Sequence, residues 1–388
     1  MKIVSFVKCA VIAALFVAGC ASDTGKTAAS PCTSPRPLEV GVYAGTGPCS
    51  NGCVEWFRLV SASPEMNLTL LDGDDVRSGA LGRLDLIVMP GGSSALIKKD
   101  LGPKGVAGLK DFIRNGGGYV GTCAGCSLLM EEKEDAARGI SVIPYGRAGS
   151  KGKYLMPIAV NERGAAAMGI KAGEYKVRYS AGPVLFESKH KIEGASFEVW
   201  GCYASDFDCP KSELRMKGMG AIVGGTYGKG RVFAIACHPE SFPSTHFILK
   251  GAFRYVTGRE ITFPPRPRAV RALSVGFFSP VIRGKEVAET AVALDKQPGV
   301  DLFPIAGAEI DTGMLDHIDW LVLPDGIAKR YSALEGRREL LNAYFERGGK
   351  AVGWGAGAEQ LPEGGVRCAS GAETVKFLAA EAAKGFAE

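Results

Sequence analysis

Gly121-Thr122-Cys123-Ala124-Gly125 sets a cysteine among small residues at the point where an apolar strand, Tyr119 to Thr122, turns into a helix. A nucleophile elbow has these needs: small neighbours permit a tight, strained turn and the approach of substrate, and the helix N-terminus lowers the thiol pKa. Far downstream, Gly230 to Ala236 reads as a strand that delivers Cys237-His238-Pro239-Glu240 at its end. Functional residues of a parallel sheet gather at strand C-termini, so His238 can meet Cys123 despite their separation. His238 would take the thiol proton and later protonate a leaving group, while Glu240 would hold the imidazole in the right tautomer. Oxyanion donors are expected from the backbone N–H of Ala124 and from the Pro90-Gly91-Gly92 loop, through Gly91 and Gly92. Each piece alone has a plainer reading, as a buried thiol, a structural histidine or a tight βα turn. Their combination in one domain favours chemistry. Tyr179-Ser180-Ala181-Gly182-Pro183 either lines the pocket, through Tyr179 and Gly182, or is a turn beside a strand. No cofactor and no metal are expected.

The elements that must position these residues follow a repeating order. Glu39 to Tyr43 (strand), Cys53 to Ser61 (helix), Asn67 to Leu71 (strand), Leu84 to Met89 (strand), Val106 to Arg114 (helix) and Tyr119 to Thr122 (strand) alternate as in a β-α-β chain. Short apolar strands between helices imply α/β architecture, a doubly wound parallel sheet covered on both faces. After Phe263-Pro264-Pro265-Arg266-Pro267-Arg268 the pattern starts again, with strands at Leu273 to Phe278, Val300 to Pro304 and Trp320 to Leu323, and a helix at Lys285 to Asp295. Gly348 to Gly357 aligns without a gap to Gly116 to Gly125 and is identical at six of ten positions, with Gly355 facing Cys123. This is an internal repeat whose second copy has no nucleophile. The expected domains are 38–262, a proline-rich linker 263–270, and a shorter second domain 271–388 that an exposed helix from Glu373 to Glu388 closes.

Together these motifs carry a resemblance. Cys123 in G-T-C-A-G, His238 and Glu240 in H-P-E, and the P-G-G loop resemble the class I glutamine amidotransferase-like superfamily, of flavodoxin-like fold. With Val42-Tyr43-Ala44-Gly45, Met89-Pro90-Gly91-Gly92, Gly116 to Gly125 and Tyr179 to Pro183, the stretch from Leu38 to Gly258 is similar to the domain at the N-terminus of some eukaryotic biotin-protein ligases. The resemblance implies a Cys-His-Glu thiol site. Gly125 is followed by Cys126-Ser127-Leu128 where glutaminase members continue Gly-His-Gln, which counts against glutamine as substrate. A Gly-Arg-Gly-type biotinyl-adenylate loop is not found, so ligase chemistry is not implied.

The chain has 388 residues, 46% hydrophobic and 22% charged, the balance of a globular protein and neither a disordered chain nor a polytopic membrane protein. Its net charge of +5 is spread along the chain and points to no nucleic-acid partner. Lys2 and Lys8 precede an apolar run from Cys9 to Val17, too short to span a bilayer but suited to a signal peptide, residues 1–19. Val17-Ala18-Gly19-Cys20 resembles a bacterial lipobox, which implies lipidation of Cys20, a membrane anchor and a flexible tether at 20–37. The expected location is the cell envelope, on the periplasmic side of the outer membrane if the host is Gram-negative. Of eleven cysteines, nine remain after Cys9 and Cys20, an odd number in an oxidising compartment. Cys49 with Cys53 and Cys202 with Cys209 are near enough in sequence to bridge, and one thiol should stay free. Three functions compete. A thiol hydrolase or amidase would act through Cys123 on an amide or ester of an envelope small molecule or peptide. A non-catalytic module would bind a ligand or protein. A thiol redox protein would use the Cys123/Cys126 C-x-x-C pair.

Overall fold

Leu38–Tyr43 (β1), Ser50–Ala62 (α1), Met66–Leu71 (β2), Gly73–Arg77 (α2), Leu86–Met89 (β3), Ser94–Arg114 (α3), Gly118–Thr122 (β4) and Ala124–Leu129 (α4) open the folded chain. They belong to a computed structural model that describes residues 36–48, 50–131, 139–149, 152–188, 190–206, 215–265, 273–278 and 284–384. The predicted export signal, Cys20, Cys49, Cys209, nearly all of the predicted tether and most of the proline-rich linker lie outside the described residues. β1, β3 and β4 are buried almost throughout, as strands covered on both faces must be, and they pair in parallel in the order β2-β1-β3-β4. α3 starts well before the predicted Val106, with the Ser93 side chain accepting from the Leu96 N–H at its start. Gly102, at φ 62°, breaks it ahead of Pro103, which has no N–H to continue the helix. Only the part beyond that break reads as helix from sequence.

Tyr145–Gly149 (β5), Lys153–Val160 (β6), Glu162–Met168 (α5), Gly173–Ser180 (β7), Pro183–Glu187 (β8), Ala195–Tyr203 (β9), Gly220–Tyr227 (β10), Gly230–Ile235 (β11) and His246–Thr257 (α6) follow. β11 returns to lie parallel beside β4, and β10, β9, β6 and β7 extend the sheet from it by antiparallel pairing. The sheet is therefore mixed, where the strand-helix alternation predicts a purely parallel one. Only Gly228 and Lys229 join β10 to β11, and so short a connection can only reverse the chain; Gly228 takes φ 61° to do it. The last strand, β7, curls back so that Arg178 bridges His238 just past β11.

The remainder comprises Leu273–Phe278 (β12), Lys285–Asp295 (α7), Val300–Ile305 (β13), Gly307–Asp311 (α8), Trp320–Leu323 (β14), Ser332–Glu335 (α9), Arg338–Glu346 (α10), Lys350–Gly353 (β15), Val366–Arg367 (β16) and Gly371–Lys384 (α11). Its strands are all parallel in the order β13-β12-β14-β15-β16, which reproduces β2-β1-β3-β4-β11 of the first sheet. The predicted bounds of β12, α7 and β14 coincide with the observed ones. α11 is not the exposed helix expected of its Ala/Lys/Glu composition. It buries Thr374, Leu378 and Ala382, and Phe377 meets the Trp320 ring edge-on at 5.0 Å. A two-sided pattern with apolar residues three to four apart is what lets it cover the second sheet.

From Pro37 onward the chain is one compact unit, and α1 is the wall its two sheets share. Trp56 and Phe57 are buried in its core. Arg58 faces the other way: its Nε donates to Asp295 Oδ1 (2.9 Å), and Nη2 donates to the Leu302 carbonyl of edge strand β13 (2.6 Å). Lys285 and Asp75 form a second ion pair between the halves, 2.8 Å long.

Candidate active site

Cys123 stands at the junction of β4 and α4 with φ 50° and ψ −102°, a backbone state that L-residues rarely hold. Two hydrogen bonds enforce it. The Cys123 N–H donates to the Ile235 carbonyl of β11 (2.8 Å), and the Cys123 carbonyl accepts the Ser127 N–H (2.9 Å), starting the helix. The Met89 carbonyl leaves no room for a side chain at position 125, which is why glycine follows Ala124. The turn aims the sulfur at a nearly closed space. Cys123 is 7% exposed, and its Sγ lies 3.7 Å from the Ser180 carbonyl oxygen.

β11 delivers His238 to the same place. Its N–H donates to the Arg178 carbonyl (2.7 Å), its Nδ1 meets Glu240 Oε1 at 2.7 Å, and its ring is hydrogen-bonded to the Cys123 side chain. Glu240 is wholly enclosed. Its Oε1 also lies 3.4 Å from Thr122 Oγ1, which accepts the Trp56 indole N–H at 3.2 Å. A carboxylate on Nδ1 fixes that nitrogen as the donor and turns Nε2 to the sulfur. Burial opposes a charge on His238, but its interactions with Cys123 and Glu240 outweigh it and push its pKa up to about 10. The two neighbours thus favour the protonated form of His238, the partner that a thiolate would need.

The structure thus brings Cys123, His238 and Glu240 together, and the loop of Gly91 and Gly92 lies against them. A Cβ at Gly91 would stand 2.5 Å from His238 Cε1 and 3.2 Å from the Cys123 Cβ. Gly92 bridges Pro48. Ala124 opens α4, so its N–H has no acceptor within the helix. Tyr179 does not line a pocket with its ring. The ring is turned into the core, edge-on to Tyr203 at 5.9 Å, and its hydroxyl donates to the Gly182 carbonyl at 2.8 Å. The segment meets the site through main chain, by the carbonyls of Arg178 and Ser180, and Gly182 is glycine because the Ala236 carbonyl fills the space beside it.

The other cysteines are less suited to chemistry. Cys126 and Cys237 are fully buried free thiols, and burial pushes both pKa values up, with the neighbouring Cys123 charge adding to it. A C-x-x-C exchanger needs a second thiol that ionises and can be reached. Cys126 is neither. Cys202 is half-buried on β9, and Cys53 lies in α1; their expected bridging partners are outside the described residues.

Sequence reasoning missed four contributors. Gly52, in the first turn of α1, sits where a Cβ would be 2.5 Å from Glu240 Oε1 and 3.3 Å from His238 Nδ1. Trp56 and Thr122 continue the hydrogen-bond chain behind Glu240. Arg178 supports the His238 backbone. Gly52 lies one residue before the predicted helix start at Cys53, so the sequence carried no signal for it.

The second half repeats the turn without the chemistry. Gly355 has φ 54°, close to that of Cys123, but Asp325 occupies the place of Gly91 and its Oδ1 accepts the Ala356 N–H at 2.9 Å. Ala356 is the counterpart of Ala124. Beyond β16, where β11 would deliver histidine, the chain reads Cys368-Ala369-Ser370.

Several known proteins share part of this chain's sequence or fold. The PdxT component of pyridoxal 5'-phosphate synthase from Cutibacterium acnes is 45% identical over 64 residues, which are 16% of this chain; the chain spans about a third (32%) of that relative's length. A ThuA-like protein from Bacteroides uniformis superposes over 60% of this chain and 97% of its own, with TM-score 0.43 and 14% identity. A GMP synthase component from Thermoplasma acidophilum covers 57% of this chain and 95% of its own, with TM-score 0.38 and 13% identity. Residues 39–129, from β1 to the end of α4 and including the Cys123 turn, match the protein family described as "Biotin-protein ligase, N terminal".

Proposed function

We propose that this chain is a cysteine-dependent hydrolase or acyl-transfer enzyme that cleaves an amide or ester through Cys123, His238 and Glu240. The observation that carries the reading is the Glu240–His238 contact of 2.7 Å behind a cysteine held in a strained strand-to-helix turn. In the reaction, Sγ attacks the carbonyl carbon and the C=O π pair moves to oxygen, where the Ala124 N–H and the Gly91-Gly92 main chain stabilise it. Collapse breaks the C–N or C–O bond, and the His238 Nε2 proton goes to the leaving group, leaving a thioester on Cys123. Water then gives a proton to His238 and attacks the thioester, expelling Sγ, releasing the acid and restoring the thiolate–imidazolium pair. The carboxylate of Asp325 on the Ala356 N–H supports the oxyanion assignment, since the equivalent turn holds an anionic oxygen at that position.

The expected setting is the cell envelope, with the body tethered through a lipid on Cys20; this rests on the export signal and lipobox in the sequence. The test is selective alkylation. Iodoacetamide should label Cys123 ahead of the other thiols at pH 7 in the wild type and lose that preference in His238→Ala. Equal labelling of Cys123 in both proteins would overturn the reading. A non-catalytic binding role is favoured by one observation, the second half's retention of the fold with its turn plugged. Ligand affinity and cellular phenotype that survive Cys123→Ser unchanged would select it.

A further inference from the structure

The half without a nucleophile reaches the site of the half that has one. Arg178 on β7 donates from Nη2 to Glu309 Oε1 on α8, at 2.5 Å, and both side chains are mostly buried. The second carboxylate oxygen, Oε2, accepts the Ala306 N–H at 3.0 Å, so Glu309 is held at both ends. Arg178 is also the residue whose carbonyl receives the His238 N–H, and two residues on, the Ser180 carbonyl faces the Cys123 sulfur. One strand end therefore touches both members of the reacting pair through its backbone.

That strand end is paired with β6 as far as Ser180 and buries Tyr179, but its side towards the site is held by far less. β7 is the outermost strand of its sheet, paired only with β6, and it meets the site through the isolated bridge between Arg178 and His238. Just past it, Ala181 carries φ 50°, a conformation that needs support from its surroundings. The outer side of an edge strand, joined to the site by that single bridge, shifts easily unless something pins it. The ion pair to Glu309 is such a pin, and it comes from the other half of the molecule.

We propose that Glu309 is a positioning residue for the Cys123 site: through Arg178 it locks the end of β7 against His238, so that the second half works as a clamp on the first half's chemistry. The inference rests on the thiol reading above. Loss of the clamp lets the Arg178 carbonyl draw away from the His238 N–H, and the imidazole then swings off the sulfur. The first consequence is a weaker hold on the thiolate at low pH, where the imidazolium is what keeps it ionised.

The test is the pH profile of Cys123 alkylation by iodoacetamide in the full chain, with His238 amide exchange read alongside. Glu309→Gln, which keeps the shape of the side chain, should slow alkylation about tenfold at pH 6.5 yet leave it within about twofold of wild type at pH 9.5, where a thiol ionises unaided. The His238 amide should exchange faster in the same variant. Arg178→Lys breaks the same bond from the other side and should move the profile in the same direction. Lys285→Met removes a different ion pair between the halves, the one to Asp75, and should leave the profile unchanged. A wild-type profile in Glu309→Gln and Arg178→Lys, or an equal shift in Lys285→Met, would overturn the clamp. A wild type that alkylates like His238→Ala would overturn the thiol reading and the clamp with it, so the two failures are distinguishable.

Discussion

Two turns of the same backbone shape lie in this molecule, one at Cys123 and one at Gly355, with φ of 50° and 54°. Each turn faces a Pro-X-Gly loop, and the two loops and turns exchange their glycines. In the first half the loop residue is Gly91 and the turn carries a side chain. In the second the loop carries Asp325, and a Cβ at Gly355 would fall 2.6 Å from the Asp325 Cβ. The space between loop and turn accommodates one side chain, and which position supplies it decides the use of the donor at the helix start. With Asp325 there, a carboxylate of the protein itself satisfies the Ala356 N–H. With glycine there, the side chains of His238 and Cys123 close on the loop instead, at 2.5 Å and 3.2 Å from where a Gly91 Cβ would stand. The strained turn is thus inherited architecture, and reactivity depends on what surrounds it.

The hardest blow to this comparison comes from His238. His238→Ala should lower the Cys123 alkylation rate at pH 7 by about 10² to 10³, the lower part of the 10² to 10⁴ typical of a positioned proton-transfer group. A smaller change would make the first turn as inert as the second. Next in size is an attempted conversion. Gly355→Cys should cost about 2 to 4 kcal/mol, since a side chain must share the space of Asp325 in a left-handed conformation. Thermal unfolding would measure this, and labelling should find no activated thiol at the substituted position because no imidazole stands there. An intermediate effect is expected from pH. His238 has a folded pKa of about 10 against an ordinary 6.5, so it binds its proton more tightly when folded. The stabilisation it contributes is complete below pH 6.5 and is lost as pH rises toward about 10. Urea midpoints of wild type and His238→Gln should therefore converge across that interval, and Cys123→Ala should move the convergence to lower pH. The mildest change is Asp325→Asn, which should cost about 1 kcal/mol through a weakened hydrogen bond and leave Cys123 reactivity unaltered. Altered reactivity would mean that the plugged turn still communicates with the open one.

Much of this was legible along the chain because it is local. G-T-C-A-G names its own turn, and the run Gly230 to Ala236 names the strand that ends at His238. The repeat was visible in ten residues, and the parallel order of the second sheet followed from its alternation of strand and helix. What escaped depends on how strands meet far from one another. The antiparallel block from β6 to β10 follows from connections, including the Gly228-Lys229 reversal, that strand-helix alternation does not foresee. Arg178 looks like any alternating strand residue until β7 curls back to His238. Gly52 reads as part of the turn before the helix until the Glu240 carboxylate is seen against it. Composition misread α11 because exposed and buried faces of a helix rich in alanine, lysine and glutamate differ only in phase.

The narrowness around the sulfur has its own consequence. With 7% of Cys123 open to solvent, a reactant must arrive on a slender stem, since a folded polypeptide surface cannot lower its main chain into so tight a recess. On the proposed hydrolase reading, selection by girth would precede any selection by chemistry: a terminal amide or a thin acyl chain would pass, and bulky esters would be turned away before Cys123 could act on them.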